Sequence, residues 1–210
     1  MSPSNRQLLR VLAFGLATIA LAVAGTYSVD VLKARHATPG IIAGVEAEGP
    51  LVLALEDFPE GWIDDLLAIE DPAFFEHRGV DLRTPGAGLT TLTQALVKIL
   101  YFERFEPGLA KIRQTLVARF ALDPLVSKED QLVLFVNLVY LGQHDGEAVR
   151  GFDAAARAYF GRPLGSLEHD EYLALVAMII APNTFHVLDR PEASARRAER
   201  IRAGREGRYP

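Results

Sequence analysis

The 210-residue chain contains no cysteine. That absence excludes a disulfide framework, a thiolate metal site and a cysteine nucleophile together. It leaves the compartment open. Positive charge is also in short supply, with 22 Lys and Arg against 27 Asp and Glu and a formal charge of −5. An acidic chain of this kind is a poor general binder of nucleic acid. The five histidines show no H-E-x-x-H spacing, so no metal site is expected. Gly86-Ala87-Gly88 lacks the following G-K-[ST] of a phosphate loop. Repeats and low-complexity stretches are absent as well, and half of the residues are apolar. Such a composition supports one sizeable core.

Uncharged apolar stretches of membrane-spanning length are rare in the chain, and the one at residues 11–29, VLAFGLATIALAVAGTYSV, is conspicuous. As a helix it approaches the ~30 Å hydrocarbon core of a bilayer. Arg6 and Arg10 precede it and Asp30 follows. The positive-inside bias therefore predicts a cytoplasmic N-terminus (1–10), a single-pass anchor (11–29) and an extracytoplasmic remainder. Ala22-Val23-Ala24 before Gly25 resembles a signal-peptidase site. The run is long for a signal peptide and continues past that point, so an uncleaved anchor is expected. Residues 30–54, with Pro39, Gly40, Gly44, Gly49 and Pro50, read as a connector in which IIAGV and LVLAL form short strands.

From Trp62 onward the period is helical. Trp62, Leu66 and Ile69 fall at i, i+4 and i+7, and Leu92, Leu96, Ile99 and Leu100 behave alike. Ser127-Lys128-Glu129-Asp130 opens a further helix with a capping signal; its apolar stripe runs to Tyr140 and Gly142 ends it. Phe152–Phe160 is another helix, and Ser166 can cap the one carrying LALVAMIIA, which is apolar nearly all round and belongs mid-core. The Arg-rich tail is a last amphipathic helix. Its arginines read as a solvated face. Lys98, Lys111 and Arg113 form local basic surface, which suits a small anionic group better than a polymer of them.

The densest chemistry lies in AIEDPAFFEHRGVD, residues 68–81. Glu70 falls near the end of a helix, with Phe74 and Phe75 placed to exclude water. Desolvation raises a carboxyl pKa, and a Glu poised in this way can exchange a proton with a sugar hydroxyl or a glycosidic oxygen. The spacing E-D-x-x-F-x-x-H-x-G-x-D, at Glu70, Asp71, Phe74, His77, Gly79 and Asp81, resembles the first signature of the family 51 glycosyltransferases, the peptidoglycan glycosyltransferases. Gly88-Leu89-Thr90-Thr91-Leu92-Thr93-Gln94-Ala95-Leu96-Val97-Lys98 resembles the second signature, keeping T-x-T-Q and the Lys. Ser127-Lys128-Glu129 through Asn137, Tyr140-Leu141-Gly142, Tyr159-Phe160-Gly161, Ala181-Pro182-Asn183 and Arg196-Arg197 follow the family's later blocks in order. The chain looks like a divergent, monofunctional murein-polymerase-like member, with the glycosyltransferase-like domain over residues 55–210.

The resemblance implies a mainly α, lysozyme-like domain behind the membrane helix. It also implies polymerisation of lipid II into glycan strands by inverting transfer, with release of undecaprenyl diphosphate at the bacterial cytoplasmic membrane. Glu70 takes the role of general base. Asp71, Phe74, His77, Gly79, Thr90, Thr91, Thr93, Gln94, Lys98, Lys111 and Arg113 become candidate substrate-binding residues, with the basic ones facing the leaving diphosphate. No cofactor is implied, although the family admits a divalent ion at the diphosphate. The partners implied are lipid II, the growing glycan, the membrane and other cell-wall synthesis proteins, and no nucleic acid. Leu100-Tyr101-Phe102 and Phe105 are the candidates for a surface that dips into the bilayer.

The pattern has departures: Leu89 and Ile99 stand where the second signature has Gly and Asn, Gln143-His144-Asp145-Gly146 replaces a Gly-rich loop, and the third signature lacks its acid. The third motif, R-K-x-x-E, counted back from Ser127, puts Lys111 at its Arg and Thr115 at its Glu. Removing a group that acts in a transition state costs on the order of 10²–10⁴ in rate. A weak or inactive member that binds lipid-linked precursor or a cell-wall partner, and a lysozyme-like lytic enzyme with Glu70 as general acid, are therefore the rival readings.

Overall fold

The computed structural model describes residues 3–49, 51–83 and 90–205. Gly88 and Leu89 of the second signature, and also Gly86, Ala87, Pro50 and Arg208, lie outside the described residues. The domain is mainly α. Its elements are α1 (Pro3–Glu48), α2 (Trp62–Glu70), α3 (Leu92–Tyr101), α4 (Leu109–Val117), α5 (Lys128–Leu138), β1 (Tyr140–His144), β2 (Glu147–Arg150), α6 (Phe152–Phe160), α7 (His169–Met178) and α8 (Pro191–Arg205).

α1 differs from the expectation. Residues 30–48 do not form a connector with strands; they continue the anchor helix without a break to Glu48. The apolar part is long and apolar enough to cross a membrane, and Val11, Leu12, Phe14, Leu16, Ile19, Leu21 and Val23 are all exposed on it. Below that part the helix docks on α4 and the turn that follows it. Ala34 and Thr38 are buried there, the Thr38 hydroxyl shares a 2.7 Å hydrogen bond with Tyr101 Oη, and Arg35 Nη1 donates to the Phe120 carbonyl at 3.0 Å. Pro39 lies inside the helix and cannot donate to the carbonyl four residues back. Tertiary contact holds the segment helical against its Pro and Gly content.

α7 runs through the middle of the core, as its all-round apolarity predicts: Tyr172, Leu173, Leu175, Val176, Ala177 and Met178 are buried. Tyr172 stacks on Trp62 with ring centroids 4.3 Å apart, and its hydroxyl donates to the Trp62 carbonyl at 2.7 Å. An aromatic pair of this kind adds about 0.5–1.5 kcal/mol beyond its area. It fixes the start of α2 and hence the place where α2 ends. The cap of α7 is Glu168, not Ser166, because Ser166 falls in the 3₁₀ turn Leu164–Ser166 just before.

Ser127 caps α5 as expected, its Oγ accepting from the Asp130 N–H. The helix stops at Leu138, and Tyr140 and Gly142 belong to a two-stranded antiparallel hairpin, β1–β2, that the helical stripe concealed. After α4 the chain makes a π-helical turn, Ala118–Leu122. Gly79 packs against it: a Cβ there would meet the Ala118 carbonyl oxygen at 2.5 Å, and its φ of +79° lies in the region that favours glycine.

Candidate active site

Glu70 is the last residue of α2. Burial pushes its carboxyl up from 4.5 to about 7, against a downward pull from the Arg197 guanidinium, with the neighbouring Asp71 charge adding to the rise. Phe74 and Phe75 are the rings expected to shield it from water. Phe74 is buried, whereas Phe75 is 55% exposed.

Asp71 begins a polar network rather than a binding surface. Its carboxylate is buried and meets His77 Nε2 at 2.9 Å, while Oδ2 accepts the Leu92 N–H at 2.9 Å. Asp71 therefore ties the first signature to the first turn of α3, where a carboxylate also complements the helix dipole. His77 is held in this pair, its side chain almost buried.

The T-x-T-Q segment folds into a capping box. Thr91 Oγ1 accepts from the Gln94 N–H, and Gln94 Oε1 accepts from the Thr91 N–H. Thr91 also donates to the Gly79 carbonyl at 2.8 Å. Gln94 Nε2 donates to Thr115 Oγ1 at 2.9 Å, and Thr93, fully buried, donates to Gln131 Oε1 at 2.7 Å. Thr91, Thr93 and Gln94, expected to donate to sugar or phosphate, donate within the protein in this structure. Their hydrogen-bonding atoms are spent inside the scaffold. Asp71 and His77 pair with each other, Phe74 is buried, and Gly79 packs on the Ala118 carbonyl.

What remains open to a ligand is a smaller set. Thr90 is exposed beside the start of α3, and Lys111 Nζ donates to its Oγ1 at 2.7 Å. Lys98 is exposed on α3. Burial, and then the Lys98 charge, lower the pKa of Lys111. A cation depressed by a second cation marks a place where negative charge is welcome. Arg113 does not join them. It lies two residues from Lys111, on a different side of α4, and its guanidinium sits 4.9 Å from the Phe102 ring centre.

Thr115, where the resemblance expects an acid, donates to the Lys111 carbonyl at 2.8 Å while accepting from Gln94. It holds α3 to α4 with a neutral side chain. Phe102 and Phe105 are covered by Arg113 and Lys98 respectively, and Tyr101 by Thr38. The outward apolar residues of this lobe are instead Leu109, Ile112 and Phe120. No group of three or more His, Asp or Glu residues that could hold a metal comes together among the described residues.

Comparison with known proteins places these elements. The Transglycosylase family profile matches residues 40–204, so the chain belongs to the transglycosylase family. It is 35% identical over 165 residues to penicillin-binding protein 1B of Buchnera aphidicola subsp. Acyrthosiphon pisum, covering 72% of this chain and 22% of that protein. It is 34% identical to penicillin-binding protein 1B of Vibrio cholerae serotype O1, covering 78% and 23% respectively. For the protein of that name from Escherichia coli K12 the identity is 32%, covering 75% and 20%. The chain thus spans about a fifth of the length of these relatives. The match begins at residue 40, inside α1, so the family's domain takes in the lower part of that helix.

Arg197 is the residue that sequence reasoning missed. It stands among tail arginines that look alike in sequence, and only packing of α8 against the end of α2 distinguishes it.

Proposed function

We propose that the chain is a membrane-anchored peptidoglycan glycosyltransferase that polymerises lipid II into glycan strands, with inversion and release of undecaprenyl diphosphate. One observation carries the reading: a carboxyl titrating near neutrality and a lysine beside a second cation are brought to the same helix start. Glu70 adjoins Asp71, which holds the Leu92 amide, and Lys111 holds Thr90 two residues earlier.

In this reading Glu70 is the general base. With a pKa of about 7 it is half ionised at neutral pH, near the optimum for a group that must take a proton and keep it briefly. It removes the proton from the acceptor sugar hydroxyl. That oxygen attacks the anomeric carbon of the growing chain from the face opposite the leaving group, and the bond to the diphosphate breaks. Lys98 and Lys111 take up the negative charge that develops on the departing oxygen. The apolar part of α1 holds the domain at the cytoplasmic membrane, with its site on the outer side, and so raises the effective concentration of a membrane-bound substrate.

Labelled lipid II incubated with the detergent-solubilised full-length chain tests the reading. Glycan polymer is expected from the parent, and none above background from Glu70→Gln. Equal polymer from both would remove Glu70 from the mechanism, and none from the parent would remove the polymerase. The same pKa suits a general acid, which keeps a lytic enzyme as the second reading. Soluble muropeptides released from purified peptidoglycan would favour it.

A further inference from the structure

Between the last turn of α2 and α8 lies a cavity of about 470 Å³, lined by Ala68, Ile69, Arg197, Arg200, Ile201 and Gly204. Its volume is in the range of small-molecule sites and well beyond the size of one simple anion. Its chemistry is divided: Ala68, Ile69 and Ile201 give an apolar wall, and two guanidiniums give the polar groups. Other tail arginines are engaged elsewhere. Arg202 pairs with Asp170, and Arg196 pairs with Glu192. Neither Arg197 nor Arg200 forms an ion pair among the described residues, and Arg197 Nε is buried without a hydrogen-bond partner among them. The Arg197 guanidinium lies 5.0 Å from the centre of the Phe185 ring, a cation–π contact, and its charge also acts on Glu70. A buried donor without a partner is costly, and a planar fork held at the mouth of an apolar cavity matches a carboxylate or phosphate in two-point contact.

We propose that this cavity is an oxyanion-binding site, in which Arg197 and Arg200 hold the carboxylate or phosphate group of a larger ligand whose apolar part lies against Ile69 and Ile201. It adjoins Glu70 but is distinct from the Lys98–Lys111 surface. Its meaning for turnover rests on the glycosyltransferase reading: an anionic group of the substrate held here positions the reacting sugar relative to Glu70. Its existence does not rest on that reading, because binding is measured without turnover.

The test uses the full-length chain in detergent with ¹⁵N-labelled arginine, titrated separately with inorganic pyrophosphate and with N-acetyl-alanyl-alanine. A saturable shift of the Arg197 Nε–H signal is expected. A response to the peptide alone assigns the carboxylate source, to pyrophosphate alone the phosphate source, and to both a general oxyanion site. Read by isothermal titration calorimetry with the same two probes, Arg197→Gln with Arg200→Gln is expected to weaken binding by at least about tenfold, the loss of one charge-assisted pair or more, while Arg196→Gln leaves it within about twofold. Arg197→Lys, which keeps the charge but loses the fork, should fall between. The site is overturned if neither probe moves the Arg197 signal at millimolar concentration, or if Arg196→Gln weakens binding as much as the double variant. The parent titration decides the matter even where the double variant fails to fold. Intact binding with no polymer from lipid II would refute the enzyme and leave the site standing.

Discussion

Asp71 Oδ2 accepts the backbone N–H of Leu92 at 2.9 Å, across 21 positions of chain. The contact joins the residue after Glu70 to the helix that carries Lys98, so the register between acid and cation depends on a buried carboxylate. Asp71→Ala would strand the Leu92 N–H and His77 together. The expected loss is about 2–4 kcal/mol in chemical denaturation, with Asp71→Asn less damaging because one acceptor oxygen survives.

Glu70→Gln should separate stability from activity. The folded-state pKa, about 7, lies above the ordinary 4.5, so folding favours the protonated acid. That contribution is fully present below pH 4.5 and is lost as pH rises through about 7. The shift corresponds to about 3 kcal/mol at most. The variant should melt with the parent at pH 4 and above it at pH 8, while glycan synthesis falls by about 10²–10⁴. Melting curves at the two pH values check the first statement. In the parent, the acid limb of the pH–rate profile should have its midpoint near 7.

Gly79→Ala is expected to be disproportionately harmful. The added methyl would meet the Ala118 carbonyl oxygen, which is backbone and cannot swing aside, and the residue would also have to keep a positive φ. A loss above about 2 kcal/mol is expected, read from a urea midpoint. Gly204→Ala, which meets nothing within 4 Å, is the comparison.

Lys111→Met removes a cation that burial and Lys98 already disfavour. Because its folded pKa is lowered, the charged form is held at a cost below that pKa. The variant should therefore melt no lower than the parent at neutral pH, while glycan synthesis falls by about 10²-fold or more. A lower melting temperature with unchanged synthesis would make Lys111 structural.

Thr115→Glu tests whether an acid at this position assists turnover. The side chain faces Gln94 and lies one helical turn from Lys111, so an ionised carboxylate there can pair with Lys111 and still accept from Gln94. Polymer yield from lipid II should rise by about tenfold if a second carboxylate assists turnover.

Local signals were legible where one residue acts on its own neighbourhood. Ser127 announces α5, and the unrelieved apolarity of residues 173–181 announces a central helix. The ordered signatures pointed to the family that the profile then matched. Less legible was anything decided by distant packing. Residues 30–48 hold a helix through Pro39, Gly40 and Gly44 because Ala34, Arg35 and Thr38 are gripped from another lobe. Hydroxyl and amide side chains at Thr91, Thr93 and Gln94 advertise hydrogen bonding without saying whether it turns inward or outward. Arg197 is indistinguishable from Arg196 until α8 is laid against α2.

α1 is 46 residues of uninterrupted helix, about 69 Å at ~1.5 Å per residue, and the same rod bears the apolar run and the contacts with Phe120 and Tyr101. No hinge separates the two parts. Wherever the upper rod is seated, the domain cannot swing freely beneath it as on a tether; its altitude and bearing are set together, like a blade on a shaft.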